Sequence, residues 1–424
     1  MKVSKYNYIL YDEGFSYWFN GITRNFFRLS CGLGKKMEFL LSDLDLLQKT
    51  SSSFFDKLCQ NGFLIADEEN ELAILKQKAQ NNINSKDYFL IVIPTLNCNF
   101  KCWYCIQNHI PSTMSLQTLD SIKRHIDYMI EKKGITSLHL EWFGGEPLMY
   151  FKQVIIPISR YAIDRCHQAC IPLVNSATTN GYYLDEKILD VLKELHFSQF
   201  QITLDGDKTF HDKVKYQKGC VSTFDHVLTN INKIINNDDK ILIYLRINYT
   251  HSTLSSAILE QVNNIIDKEN RKNIVVIPKK VWQENVDKNF EDTLNSITSS
   301  FSESGYRVSN FSLPSFIPCY ASKAYYSAIN FNGNVVKCTA CNDLYDEVPK
   351  GKLNLDGTIT WSDHFDEKYQ TLTYENSNCI RCKYLPICMG PCPRNYILGM
   401  TDCKYKSEDV EIEHSLLGYL KQQF

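Results

Sequence analysis

Three cysteines lie close together directly after an apolar run. Tyr88–Ile93 reads as a strand, and Thr95-Leu-Asn-Cys-Asn-Phe-Lys-Cys-Trp-Tyr-Cys105 follows it, so Cys98, Cys102 and Cys105 form a C-x3-C-x2-C triplet on one loop. Thiolates presented this way can share a metal centre. Closed structural zinc sites and closed iron–sulfur sites usually take four protein ligands. Three leave one iron of a four-iron cube without a protein ligand, and an open iron is where chemistry can happen. Two plainer readings also fit: a disulfide with a spare thiol, which needs an oxidising compartment, or structural zinc with a remote fourth ligand.

A second cysteine field runs C319-x13-G333-x4-C338, then C379-x2-C382-x5-C388-x3-C392-x10-C403. Asn332-Gly-Asn334 marks a hairpin turn between Ala328–Phe331 and Val335–Lys337, which brings Cys319 and Cys338 together. Cys379, Cys382 and Cys388 alone would also suit a zinc ribbon. Of sixteen cysteines in 424 residues, eight crowd into 319–403, a distribution that favours metal or redox roles over disulfides in a reducing compartment. Cys166 and Cys170, four apart on a helical stretch, read as small side chains rather than chelators.

The elements that position these residues alternate. Strands are expected at 88–94, 137–143, 172–178, 199–204, 241–249 and 273–278, with helices at 115–133, 150–169, 185–196, 222–236 and 252–268. Apolar strands alternating with helices imply an α/β fold with a parallel sheet. The strand ends carry the other motifs. After the second strand comes Glu141-Trp-Phe-Gly-Gly-Glu-Pro147, where Gly144 and Gly145 let backbone approach closely; by itself this could be a tight turn. The third strand ends in Ser176-Ala-Thr-Thr-Asn-Gly181, the fourth in Thr203-Leu-Asp-Gly-Asp207 with His211-Asp212 nearby. On the fifth, Arg246 and Asn248 share a face. Arg246 suits a carboxylate, or is a surface arginine at a strand end.

The triplet, with its aromatic Tyr104, and the downstream motifs resemble those of the radical S-adenosylmethionine (SAM) enzymes. The seven C-terminal cysteines match the SPASM extension of that family. The resemblance implies a partial (β/α)6 TIM barrel with its active site at the C-terminal ends of the strands. It implies a [4Fe–4S] cluster on Cys98, Cys102 and Cys105, whose fourth iron is chelated by SAM. Gly144, Gly145, Glu146 and Pro147 match the GGEP motif beside the SAM amino group. Ser176, Thr179 and Asn180 match the segment near its ribose and carboxylate. Tyr104, Asp205 and Arg246 join them as cofactor-binding candidates. After His211-Asp212 comes Lys213, and the arginine often found shortly after is absent. By the same resemblance Cys379, Cys382, Cys388 and Cys403 bind auxiliary cluster II, and Cys319, Cys338 and Cys392 bind auxiliary cluster I. That makes three [4Fe–4S] clusters. Cluster I has an open iron, or Cys341 closes it.

Residues 1–86 read as a separate module. Tyr6–Tyr11 and Phe15–Phe19 form a hairpin around Asp12-Glu-Gly14, a helix spans 42–60 with Phe54, Phe55, Leu58 and Phe63 as its buried stripe, and strand 62–67 and helix 69–79 follow. This resembles the winged-helix-like element that captures a leader peptide by strand addition; an ordinary cap is the other reading. The expected domains are 1–86 for leader recognition, 87–282 for the barrel, a bridge at 283–315 with a helix at 290–302, and 316–424 for SPASM. Net charge is −2, with no nucleic-acid footprint. No run is long enough for a membrane span, and Met1–Asn7 lacks a signal-peptide core, so a cytoplasmic location is expected. The resemblance points to a peptide maturase that crosslinks a ribosomally made precursor through a thioether or carbon–carbon bond, with flavodoxin or ferredoxin as electron donor. The alternatives are a formylglycine-forming anaerobic sulfatase maturase and an inactive peptide-binding partner. Sulfatase maturases commonly carry Gln before GGEP, where this chain has Phe143.

Overall fold

The structure is a computed structural model that describes residues 1–283, 290–309, 313–340, 342–346, 348–403 and 409–424. The chain folds as two compact units, one of residues 1–85, 310–324 and 367–424, the other of residues 86–309 and 325–366.

In the first unit, β1 (Lys2–Val3) pairs with β5 (Leu64–Ile65), and β2 (Asn7–Asp12), β3 (Phe15–Asn20) and β4 (Phe26–Ser30) form an antiparallel sheet. The helices are α1 (Cys31–Leu40), α2 (Leu44–Thr50), α3 (Ser52–Gln60) and α4 (Glu71–Ile83). The single helix expected over 42–60 is two, because the chain leaves helical geometry at Ser51 (φ −151°). Trp18, Phe27, Phe55, Leu58 and Phe63 pack into one cluster, with Phe54 at its margin. Residues 1–85 do not stand apart as a separate module. Tyr6, Leu75, Ala79 and Ile83 share a core with Ile317, Leu372, Tyr374, Leu385 and Met389, and Tyr8, Leu10, Tyr17 and Phe19 share another with Tyr384, Ile387, Ile412, Leu416 and Leu420. Burial on this scale stabilises the two stretches jointly. The chain passes from the first unit to the second within one residue of the expected boundary at 86, whereas the boundary at 315 coincides with no unit edge and 316–424 is divided between both.

In the second unit, six parallel strands lie side by side in sequence order: β6 (Asp87–Ile93), β7 (Ser137–Trp142), β8 (Leu173–Thr179), β9 (Phe197–Asp205), β10 (Leu242–Tyr249) and β11 (Ile274–Lys280). Helical crossovers join them, including α5 (Leu116–Tyr128), α6 (Ile156–Gln168), α7 (Leu189–Glu194), α8 (Lys208–Val214), α9 (Thr223–Asn237) and α10 (Ala257–Asn263). This is the expected α/β alternation, with strand ends within about two residues of the sequence estimate. Apolar residues fill the space between strands and helices. On α9 the buried face is Phe224, Val227, Leu228, Ile231, Ile234 and Ile235, a helical repeat capped by the Ser222 hydroxyl accepting from Asp225 N–H. Sequence reasoning missed how the sheet is extended. After α11 (Phe290–Glu303), β12 (Arg307–Val308) adds parallel to β11, and β13 (Tyr326–Asn330) adds parallel to β6. The hairpin of β13 with β14 (Asn334–Val336), turning at Gly333, continues antiparallel into β15 (Gly351–Leu353) and β16 (Ile359–Trp361).

A buried contact ties this extension to α5. His125 of α5 is buried, with Nδ1 2.6 Å from Gly357 O and Nε2 2.6 Å from the Tyr88 hydroxyl. The carbonyl can only accept, so Nδ1 carries the proton and Nε2 accepts from Tyr88. Burial holds the imidazole neutral, down to a pKa of about 4. The unfolded imidazole takes up its proton first as pH falls, so this group costs stability between pH 6.5 and 4, up to about 3 kcal/mol. Urea unfolding of His125→Gln is expected to show that part of the pH–stability curve flattened relative to the wild type; an unchanged slope refutes the assignment.

Candidate functional site

Parallel register places the ends of β6 to β10 on one rim, and the motif residues gather there. The cysteine loop leaves β6 and is shaped by its neighbours. Phe143 N–H donates to Val92 O (3.1 Å), Gly145 N–H to Thr95 O (3.1 Å) and Glu146 N–H to Asn97 O (2.8 Å), so pairing between the first two strands continues past their ends. Gly144 and Gly145 are needed for this. A Cβ at Gly145 would lie 2.1 Å from Asn97 O, and one at Gly144, whose φ is +129°, 2.4 Å from Thr95 O. The space the glycines leave is filled by the loop backbone itself. Ser112 closes the other side: its hydroxyl accepts from Leu96 N–H, and its carbonyl accepts from the Thr95 hydroxyl.

Glu146 is fully buried. Its carboxylate accepts from Leu148 N–H (2.9 Å), the Thr179 hydroxyl (2.8 Å) and Asn180 N–H (2.8 Å), which locks the GGEP turn to the end of β8. Asn180 then reaches the loop, with its amide 2.8 Å from Asn99 Oδ1 and 3.8 Å from Cys98 Sγ. Pro147 is buried at the start of the 3-10 turn Pro147–Tyr150. On the other side, the Tyr104 hydroxyl donates to Asp205 Oδ1, which also lies 3.4 Å from Asn248 Nδ2, and Arg246 Nε donates to Asn248 Oδ1 at 2.8 Å. The structure thus brings Tyr104, Asp205 and Arg246 into one network, and Glu146, Thr179 and Asn180 into another. Ser176 joins neither. Its hydroxyl donates to Glu141, so His139 Nε2, 2.7 Å away, must donate to it.

Lys215 was missed from the sequence. It is buried, donates to Thr203 O, and stands 3.5 Å from Asp205 Oδ2. It lies four residues after His211, and a basic residue at helical spacing from that histidine was the available signal. His211 itself supports β9, with Nδ1 accepting from Asp205 N–H, and Asp212 accepts from Phe224 N–H at the start of α9. His109, also unremarked in sequence, has Nε2 3.4 Å from Cys105 Sγ.

Three cysteine sulfurs on one loop are a soft donor set suited to iron–sulfur ligation. Burial pushes the Cys98 and Cys102 thiols up, to about 12 and about 11, and raises Cys105; Phe100 N–H opposes the shift at Cys98 and Lys215 at Cys102. Such thiols shed their protons when a metal supplies the positive charge. Among the described residues no three His, Cys, Asp or Glu converge on a single ion; in a cube each thiolate binds its own iron, so its ligands stand further apart. In the other field, burial raises the Cys379 thiol, and nearby Cys382 and Cys403 add to the rise. Cys319 and Cys392 belong to the first unit and Cys338 to the second. Cys341 lies outside the described residues.

Glu146 also gives a pH signature. Burial pushes it up to about 7, against the pull of its donors. The folded state therefore takes up this proton before the unfolded state, and the group adds stability as pH falls from 7 to 4.5, up to about 3 kcal/mol. Glu146→Gln places an amide against these donors. It is expected to unfold at lower urea, with about 2 kcal/mol lost at neutral pH, and to lack that rise; equal midpoints would show that the carboxylate pins nothing.

Comparisons with known proteins agree with this geometry. The Radical SAM superfamily model matches residues 92–258. A cysteine-type anaerobic sulfatase-maturating enzyme of Clostridium novyi is 27% identical over 155 residues, 35% of this chain and 40% of that protein. The serine-type enzyme of Bacteroides thetaiotaomicron is 24% identical over 158 residues, 35% of this chain and 36% of its own. The chain thus spans about two-fifths of the length of the curated relatives it matches. Among solved structures, anSMEcpe with bound AdoMet aligns with a TM-score of 0.53 at 17% identity, covering 76% of this chain and 91% of that one. Streptococcus suis SuiB bound to S-adenosylmethionine aligns with a TM-score of 0.51 at 17% identity, covering 94% and 96%. With the cysteine loop seated on the glycine turn at the rim of a parallel α/β sheet, and this family match over the same strands, the chain carries a domain of the radical SAM superfamily.

Proposed function

We propose that this protein is a SPASM-type peptide maturase that installs a thioether or carbon–carbon crosslink in a ribosomally made precursor. The observation that carries the reading is the docking of the Cys98–Cys105 loop against Gly144 and Gly145, between the Glu146–Asn180 lock and the Tyr104–Asp205–Arg246 network. Two structures of similar fold support a peptide substrate: SuiB bound to precursor peptide SuiA, and anSMEcpe with the Cp18Cys peptide.

Cys98, Cys102 and Cys105 would hold a [4Fe–4S] cluster, and Gly144, Gly145, Ser176, Thr179, Asn180 and Arg246 lie in the motifs that would face SAM. Bound there, cluster and SAM would supply the radical chemistry needed to remove a hydrogen atom from an unactivated carbon. The chain's part is positional. Glu146 fixes the turn and the end of β8, Asn180 fixes the loop beside Cys98, and Tyr104 fixes its far end on Asp205. Arg246, held on Asn248, presents a fork suited to a carboxylate. Cys379, Cys382, Cys388 and Cys403 would hold one auxiliary cluster, and Cys319, Cys338 and Cys392 another. Among the described residues β4 is paired on one side only, with β3, an edge on which a leader peptide can add as a strand. Flavodoxin or ferredoxin in the cytoplasm would supply electrons. No helix among the described residues is long and apolar enough to cross a membrane.

The curated relatives favour a second reading, formylglycine formation on a sulfatase peptide. Phe143 in place of glutamine argues for the first. The test is anaerobic. Reconstituted protein is expected to hold about twelve irons, and the joint change of Cys98, Cys102 and Cys105 to Ala to remove about four of them together with all 5′-deoxyadenosine release. A precursor peptide lighter by a pair of hydrogens, with a sulfatase peptide left untouched, supports the maturase; the reverse result supports the second reading. Undiminished 5′-deoxyadenosine from the triple variant ends both.

A further inference from the structure

Residues 1–85 grip the C-terminal cysteine segment by its backbone. Three side chains donate to carbonyls between Cys379 and Cys388: Lys5 Nζ to Ile380 O (2.9 Å), the Tyr8 hydroxyl to Lys383 O, and Arg24 Nη2 to Pro386 O (2.9 Å). The fit is close elsewhere too, since a Cβ at Gly21 would lie 3.0 Å from Pro386 Cβ. Arg24 does more than the other two. The same Nη2 donates to Pro314 O at 3.0 Å, five residues before Cys319. One guanidinium nitrogen therefore bridges the two stretches of the first unit that lead into Cys319 and into Cys388.

The chain spends several interactions on placing this arginine. Arg24 is a non-glycine residue at φ +66°, a conformation that costs free energy and persists where neighbours over-determine it. The neighbour that does so is Asn20. Its side-chain carbonyl accepts from Ile22 N–H, Thr23 N–H and the Thr23 hydroxyl, and its amide donates to Ser4 Oγ, Asn7 Oδ1 and Gly62 O. The turn closes with Arg24 N–H on Asn20 O. The guanidinium carbon then lies 4.4 Å from the centroid of the Phe316 ring, a cation–π contact. Phe316 is itself at φ +59°. Arg24 Nη1 is buried with no hydrogen-bond acceptor among the described residues. Burial lowers the guanidinium to about 10, which leaves it charged at neutral pH. A buried cation with a spare donor, tied to both approaches to a cysteine field, is poorly accounted for by packing alone. Pro386 stands two residues before Cys388, so a cluster on that segment would bring negative charge toward this cation.

We infer that Arg24 is a positioning residue for the cluster that Cys379, Cys382, Cys388 and Cys403 would hold: it ties the Cys379–Cys388 segment to the stretch leading into Cys319 and supplies positive charge that favours the reduced form of that cluster. The inference rests on the auxiliary-cluster reading above. Net charge and hydrogen bonding set iron–sulfur potentials, and a nearby cation stabilises the more negative, reduced state. Residues 1–85 then have a role beyond the leader capture proposed above, because they build part of the frame of a redox site.

The test uses the full chain with two readings. Amide hydrogen exchange across 313–324 and 377–392, taken before iron is added, reports the tie. Reductive titration followed by electron paramagnetic resonance after reconstitution reports the charge. Arg24→Met is expected to speed exchange in both stretches by about tenfold or more and to move one cluster to a more negative midpoint potential, with the signal dependent on Cys98, Cys102 and Cys105 unmoved. Arg24→Lys keeps the charge and is expected to restore the potential while exchange stays fast. Arg24→Gln keeps one donor without the charge and decides by the same readings if the Met variant does not fold. Wild-type exchange in both stretches, or a potential that Arg24→Lys fails to restore, overturns the inference. A joint Cys379→Ser and Cys382→Ser change that leaves iron content intact removes the cluster from this segment instead, and that failure belongs to the auxiliary-cluster reading, because the exchange result does not depend on iron.

Discussion

The contact between Gly144–Gly145 and the backbone of Thr95–Asn97 is the constraint on which the rest of the rim depends. Strand pairing in a parallel sheet normally stops where the chains diverge into their loops. Here three more backbone hydrogen bonds follow, from Phe143, Gly145 and Glu146, and only because neither glycine has a Cβ. A side chain at Gly145 would put its Cβ 2.1 Å from Asn97 O, so the cysteine loop would have to move off the second strand to restore ordinary van der Waals contact. The loop would keep its cysteines and lose their common position. The glycines are commonly understood as room for a ligand; in this chain they are first room for the loop that would carry the metal.

Electrostatics at the rim follow from that docking. The docked loop brings the half-buried Cys98 and Cys102 beside the buried Glu146 and Asp205, where uncompensated charge is costly. Glu146 is satisfied by donors from the two strand ends it joins. Asp205 has Tyr104, Asn248 and the buried Lys215. Cys98 has Phe100 N–H and the Asn180 amide. Each carboxylate has compensation within the protein, Asp205 Oδ2 from the charge of Lys215 rather than from a hydrogen bond, while the sulfurs have little, and the difference has chemical sense. Carboxylates that hold the frame must be neutralised within the protein. Thiols that are to meet a metal need only be presented, since the metal brings its own charge.

Much of this was legible in the sequence, for identifiable reasons. Strands buried on both faces read as apolar runs, and the helices between them carry a 3.6-residue repeat, so β6 to β11 were visible before the structure. The motif residues were visible because strand ends of a parallel sheet must share a rim. What was hidden is long-range. The addition of β13 to β6 joins residue 326 to residue 89, and nothing local in Tyr326–Asn330 marks its partner. Beyond its spacing from His211, nothing local marks Lys215, just past the short α8; only the fold turns it inward to Thr203 and Asp205. Ser176 matched a cofactor motif in sequence, yet its hydroxyl is engaged by Glu141 and His139.

The separateness of residues 1–86 was the reading most in need of the fold. A hairpin, helices and a short strand suggest a self-contained module, and Trp18, Phe27, Phe55, Leu58 and Phe63 do make a core of their own. That core is one face only. The opposite face, from Tyr6 and Tyr8 to Leu75 and Ile83, is apolar and is buried by residues more than 230 positions downstream, Ile317, Leu372, Leu385 and Ile387 among them. Truncating the first 85 residues would therefore expose apolar surface on the cysteine-rich segment and release its carbonyl ties at once. Loss of peptide modification in such a truncation would not separate leader capture from collapse of the C-terminal centre. Single replacements on the unpaired side of β4, away from Tyr8 and Arg24, make that separation, because they touch the sheet edge and leave the shared core intact.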